Sequence, residues 1–163
     1  MAEAIRAAVL TVSTSKAAGE GEDESGAVLA GLAREIGAEL AARELVPDDR
    51  AQIEARLRRW ADEDVELVLT TGGTGFAPSD LTPEATRAVI EREAPGLAEA
   101  MRAASREHSS HWMLSRGVAG IRGATLIVNF PGSPRAVAET GAAIASALPH
   151  AVALLRDRPT SHR

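Results

Sequence analysis

A strand, a glycine-rich turn and a helix start follow one another between residues 65 and 86, and this unit constrains the fold more than any other stretch. Val65-Glu66-Leu67-Val68-Leu69 is a short apolar run with the length of a buried strand. Thr70-Thr71-Gly72-Gly73-Thr74-Gly75 supplies a tight turn, and Pro83-Glu84-Ala85-Thr86 opens a helix. A strand that leaves through a turn into a helix belongs to a sheet whose faces are covered by helices.

The same alternation runs along the whole chain. Ile5 to Val12 predicts a first strand, which ends in the polar loop Ser13 to Glu24. Val28, Leu29, Leu32, Ala33 and Ile36 recur at helical spacing, predicting a helix over about 25–37 with Gly37 as its C-terminal cap. Glu39 to Val46 predicts a second strand. Pro47-Asp48-Asp49 opens a helix that buries Ile53, Leu57, Trp60 and Ala61. Beyond the glycine turn, helices are expected over about 83–92 and 95–107, separated at Pro95-Gly96. Trp112 to Arg116 reads as a connector and Val118 to Gly123 as a short strand and turn. Thr125 to Phe130 is the clearest strand. Pro131-Gly132-Ser133-Pro134 then leads into a helix with Val137, Ile144 and Leu148 inward, and a last helical segment runs from Pro149 to Leu155. The pattern predicts one α/β domain over residues 1–155 with a mostly parallel sheet, and a polar tail over 156–163.

Composition narrows the chemistry. The 163 residues suit one domain and contain no cysteine, which removes disulfides, thiolate nucleophiles and cysteine-based metal sites. No run of 18 apolar residues occurs, so no membrane partner is expected; no charged leader precedes the first strand, and cytoplasmic location is the expectation. The net charge of −5 and scattered basic residues argue against nucleic acid. Trp60, Trp112, Phe76 and Phe130 are too few for base-stacking platforms. Lys16 is the single lysine among 18 basic residues, and no Gly-Lys-Ser/Thr surrounds it, so a Walker loop is absent. Of the histidines, His108, His111, His150 and His162, only the first two share a helical spacing, and no third metal ligand accompanies them.

Ligands of open parallel sheets sit outside the carboxyl ends of the strands. Loops after the first and third strands and after Phe130 all open there. Gly72, Gly73 and Gly75 either make a plain turn or, with the hydroxyls of Thr71 and Thr74, cradle an anion. A dinucleotide-binding Gly-x-Gly-x-x-Gly is excluded, because Pro78 takes the last glycine place. Ser133 either caps the following helix or contacts a phosphate or ribose; Ser25 carries the same ambiguity. Asp48 is either a cap or a ligand. Asp80 either bonds its own turn or, with Asp48, holds Mg²⁺ beside substrate phosphates. Arg116 either faces solvent or forks a phosphate.

Taken together, these segments resemble the molybdenum-cofactor biosynthesis proteins of the MogA/MoaB type, similar to the G domain of gephyrin. The resemblance runs from Leu10-Thr11-Val12-Ser13 to Leu154. It rests on Thr70 to Gly75, Ser79-Asp80-Leu81-Thr82-Pro83-Glu84-Ala85-Thr86, Pro95-Gly96, Glu99 to Arg102, Met113-Leu114-Ser115-Arg116 and Leu126 to Pro134. It implies a three-layer α/β/α fold, a homotrimer, and Mg²⁺-dependent transfer of AMP from ATP to molybdopterin with release of diphosphate. The two aspartates of active members fall on Asp48 and Asp80, as catalytic and metal-holding residues. Nucleotide and molybdopterin contacts fall on Ser13, Ser25, Thr71, Gly72, Gly73, Thr74, Gly75, Ser115, Arg116, Pro131, Gly132 and Ser133. Two departures stand out: Thr14 replaces an aspartate common in relatives, and the loop Gly19 to Glu24 is unusually acidic.

The resemblance leaves a second reading, a MoaB-like paralogue that binds pterin or nucleotide with weak or no transfer. A third reading is a gephyrin-like scaffold, against which a single domain offers few extra binding surfaces.

Overall fold

The structure, a computed structural model, describes residues 3–160. His162 and the end of the polar tail lie outside the described residues. Six strands form one sheet: β1 (Ile5–Val12), β2 (Ala38–Val46), β3 (Leu67–Thr71), β4 (Arg92–Glu93), β5 (Ala119–Arg122) and β6 (Thr125–Phe130). Their order is β2-β1-β3-β6-β5-β4. The four strands from β2 to β6 run parallel, and β5 and β4 complete the edge antiparallel. The mostly parallel sheet is the one predicted.

Seven helices accompany it among the described residues: α1 (Thr14–Ala17), α2 (Glu24–Glu35), α3 (Arg50–Asp62), α4 (Thr82–Val89), α5 (Pro95–Ser105), α6 (Pro134–Ile144) and α7 (Ala147–Leu155). Residues alternate between the sheet's two faces. Val9, Leu69, Val128 and Phe130 pack with Leu29, Met101, Val137, Ile144 and Leu148 on one side. Leu10, Val68 and Ile127 pack with Ile53, Leu57, Trp60, Ala85 and Val89 on the other. Both faces are covered by helices, which is why the central strands read as continuous apolar runs. The result is a three-layer α/β/α fold with α2, α5, α6 and α7 on one face and α3 and α4 on the other.

The loop expected from Ser13 to Glu24 contains the short helix α1 (Thr14–Ala17), and several boundaries differ from the sequence reading, two of them with consequences for the site and the sheet edge. β3 starts and ends two residues later than Val65–Leu69, taking in Thr70 and Thr71. Their hydroxyls are paired inside the fold: Thr71 Oγ1 donates to Pro131 O at 2.6 Å, and Thr70 Oγ1 accepts from Asn129 Nδ2 at 3.0 Å. The helix expected over 83–92 stops at Val89, and Arg92–Glu93 becomes β4, paired with Ile121 and Gly120. Gly120 permits this pairing, because a Cβ there would lie 2.5 Å from Ile90 Cδ1 and 2.9 Å from Arg92 O. Pro95 also holds Ala94 out of the helical region.

Asn129 is the polar pin of the core. Its Nδ2 donates to Thr70 and Thr86, each at 3.0 Å, and its Oδ1 accepts from Val118 N at 3.1 Å. One buried amide thereby joins β6, β3, α4 and the approach to β5, with every polar group satisfied.

Candidate functional site

Register brings the strand ends level. Val12 pairs with Val46, Thr11 with Thr71, and Thr71 with Phe130. The four loops that follow these strands therefore meet at one edge of the sheet. A cleft of about 260 Å³ lies there, lined by Ser13, Ser25, Asp48, Thr71, Gly72, Gly73, Asp80 and Gly132, together with Thr11, Val12 and Lys16.

The glycines are required by close approach. Gly72 has φ +96°, and a Cβ on it would sit 2.2 Å from Val12 O; Gly73 has φ +69°, and a Cβ would sit 2.4 Å from Thr82 Oγ1. No L-residue side chain fits either place. Thr82 closes the turn, its Oγ1 donating to Gly72 O at 2.9 Å and its N to Gly73 O at 3.1 Å.

Asp48 is held by Thr14. Its Oδ2 accepts from Thr14 Oγ1 at 2.8 Å and from Thr14 N at 3.2 Å, and Asp48 N donates back to Thr14 Oγ1 at 3.0 Å. Capping of α3 falls to Asp49, whose Oδ1 accepts from Gln52 N. Asp80 closes its own turn: Oδ2 accepts from Ala77 N at 2.9 Å, while Asp80 N donates to Ala77 O at 2.9 Å. In both carboxylates Oδ1 accepts no hydrogen bond among the described residues. Two carboxylates with an oxygen to spare, beside a turn rich in backbone amides, suit Mg²⁺, which completes its shell with phosphates and water. No cluster of three His, Cys, Asp or Glu occurs among the described residues, so no closed protein cage competes with that arrangement.

The serines divide. Ser133 caps α6, accepting from Ala136 N at 3.1 Å. Ser13 caps α1, accepting from Lys16 N at 3.3 Å. Asp23, not Ser25, caps α2, accepting from Gly26 N at 3.0 Å, so Ser25 lines the cleft without that duty.

Arg116 points its fork at the protein itself. Nε donates to Gly75 O at 2.8 Å, one terminal nitrogen to Asp80 O at 2.8 Å, and both terminal nitrogens grip Glu84. Its backbone N donates to Thr74 O at 2.8 Å. Most of the guanidinium's donors are thus spent on fixing residues 74–80 against α4. The hydrogen bond from Arg116, opposed by desolvation, holds the Glu84 carboxyl below the usual carboxylate range. The same pairing raises Arg116.

A second cleft, of about 150 Å³, adjoins the first across the Pro131-Gly132 peptide. Pro131 and Ser115 line it with Arg102, Trp112, Asn129 and Thr140. Of the predicted residues, Thr74, Gly75, Arg116 and Ser133 line neither cleft. His108 faces Glu139 at 3.6 Å, whereas His111 lines the second cleft. Thr14, Thr82 and Lys16 were not singled out as site residues by motif; the departure at Thr14 and the solitude of Lys16 were the signals available.

A family described as a probable molybdopterin binding domain matches residues 8–150. The chain belongs to that family. Among solved members, MoaB from Thermus thermophilus is 46% identical, with a TM-score of 0.90 over 96% of this chain and 99% of its own. The Mog protein from Mycobacterium ulcerans is 35% identical, with a TM-score of 0.89 over 96% of this chain and 100% of its own. Among curated relatives, the molybdenum cofactor synthesis protein cinnamon of Drosophila melanogaster is 44% identical over 95% of this chain and 26% of its own length. The molybdopterin adenylyltransferase of Helicobacter pylori strain J99 is 44% identical over 69% of this chain and 64% of its own length. The chain thus spans about a quarter of the fly protein and under two thirds of the bacterial enzyme. No single helix among the described residues is long and apolar enough to cross a membrane.

Proposed function

We propose that the chain is a molybdopterin adenylyltransferase of molybdenum cofactor biosynthesis, joining AMP from ATP to molybdopterin and releasing diphosphate. One observation carries this reading: Asp48 and Asp80, from two separate loops, line one cleft with the Gly72–Gly73 turn. The adjoining cleft at Ser115 and Pro131 supports a reaction of two substrates. The relatives named as adenylyltransferases support the same class.

The chemistry matches the residue set. An oxygen of molybdopterin's terminal phosphate bonds to the α-phosphorus of ATP, and the α–β bridging bond breaks to release diphosphate. The attacking phosphate is already largely ionised near pH 7, its second pKa being about 6, so no general base is required. The task left to the protein is to align two anions and offset their charge. Mg²⁺, when bound by Asp48 and Asp80, supplies that positive charge beside the phosphates. Thr14 fixes the orientation of Asp48, and Arg116 fixes the backbone that carries Asp80. Gly72 N already donates to Phe130 O at 3.2 Å, so in this reading Gly73 N is the amide of the turn left for the anion. In this reading the protein works in the cytoplasm as a homotrimer, with neither nucleic acid nor membrane as partner.

The second reading is a MoaB-like binder without efficient transfer, favoured by the 46% identity to the Thermus MoaB. Purified protein with molybdopterin, ATP and Mg²⁺ separates the two. Formation of AMP-molybdopterin supports the transferase; tight pterin binding without turnover supports the binder.

A further inference from the structure

We propose that Lys16 is the cation that binds the polyphosphate of the nucleotide in the first cleft, and so sets its preference for triphosphate over monophosphate. The proposal rests on reading that cleft as a phosphate-transfer site. Lys16 is the chain's one lysine, and it lines the cleft shared by Asp48, Gly72, Gly73 and Asp80. Its ammonium enters no ion pair among the described residues. That is unusual here, because the neighbouring loop is acidic and its Asp23 is engaged elsewhere, with Thr11, Gly26 and Arg43.

The place of the ammonium is built. Ser13, capping α1, fixes the backbone of Lys16. The chain then folds back at Gly21, at φ +83°, and a Cβ on Gly21 would lie 2.8 Å from Lys16 Nζ. A glycine at this point leaves room for the ammonium under the returning loop. Two carboxylates in the same cleft repel a free polyphosphate, and a lysine supplies a mobile point charge with three donors against that repulsion.

The test compares wild type, Lys16→Gln and Lys16→Arg. Calorimetry measures binding of inorganic diphosphate, Mg·ATP and AMP, and the transfer assay gives KM for ATP and kcat. Lys16→Gln is expected to weaken diphosphate and Mg·ATP binding roughly tenfold or more. AMP binding should change far less, KM for ATP should rise more than kcat falls, and Lys16→Arg should recover part of the loss. Wild-type affinity for diphosphate in Lys16→Gln overturns the proposal. If wild type transfers AMP and Lys16→Gln does so with an unchanged KM for ATP, the proposal falls while the transferase reading stands. If wild type binds diphosphate through Lys16 but forms no AMP-molybdopterin, the transferase reading falls and the Lys16 site stands.

Discussion

Arg116 grips Glu84 with both terminal nitrogens, at 2.8 and 3.1 Å, while the same guanidinium holds the carbonyls of Gly75 and Asp80. The pair is about one-third exposed, so solvent screens it and its net contribution to stability stays at or below about 1 kcal/mol. Its larger effect is positional, because it fixes the loop that carries Asp80. Arg116→Lys keeps the charge but cannot serve four acceptors at once. Transfer should fall about tenfold or more, with only a few degrees lost in Tm. Equal turnover in Arg116→Lys would mean that the loop holds its shape without the clasp.

The same pair gives a pH expectation. The folded Glu84 carboxyl is held below its unfolded value, chiefly by the hydrogen bond from Arg116. A depressed carboxyl stabilises the fold above the unfolded pKa, and that stability is lost as pH falls through the folded pKa. Glu84→Gln should therefore be less stable than wild type at neutral pH, and the gap should close below about pH 4. Urea titrations at both pH values measure it.

Thr14 bonds Asp48 in both directions, so removing the hydroxyl also strips a partner from Asp48 N. Thr14→Val should reduce transfer by about tenfold, whereas Thr14→Ser should retain most of it. The kinetic comparison of the two variants isolates the hydroxyl from the methyl.

Gly72 offers a backbone test. Its φ of +96° and the 2.2 Å approach to Val12 O leave no room for a methyl group. Gly72→Ala should cost about 2–4 kcal/mol in denaturant unfolding and displace the turn.

Asn129 serves three partners inside the core. Asn129→Leu, close in volume, leaves Val118 N, Thr70 and Thr86 without their shared amide. A loss of about 2–4 kcal/mol is expected from the unsatisfied groups, read as a lower denaturant midpoint.

Much of this was legible in the sequence for physical reasons. Fully buried parallel strands print as apolar runs, and helices print as periodic stripes, so Thr125–Phe130 and the face of Ile53, Leu57 and Trp60 stood out. β4 did not, because a two-residue edge strand has no period, and its partner Gly120 has no side chain to announce it. Parallel topology alone put Asp48, Asp80 and the glycine turn on one edge. What remained hidden was the choice among equivalent small polar residues. Asp23 or Ser25, and Asp48 or Asp49, are each able to cap a helix, and only the backbone geometry decides. The inward fork of Arg116 was hidden likewise, since its acceptors Gly75 O and Asp80 O are main-chain groups that leave no mark on composition.

The central claim is that Asp48 and Asp80 act together on the phosphates, and AMP-molybdopterin formation in wild type, Asp48→Asn and Asp80→Asn tests it most directly. With pterin binding and fold checked in parallel, each variant should bind molybdopterin yet lose transfer by about a hundredfold or more in saturating Mg²⁺. Wild-type turnover in Asp80→Asn would contradict the account.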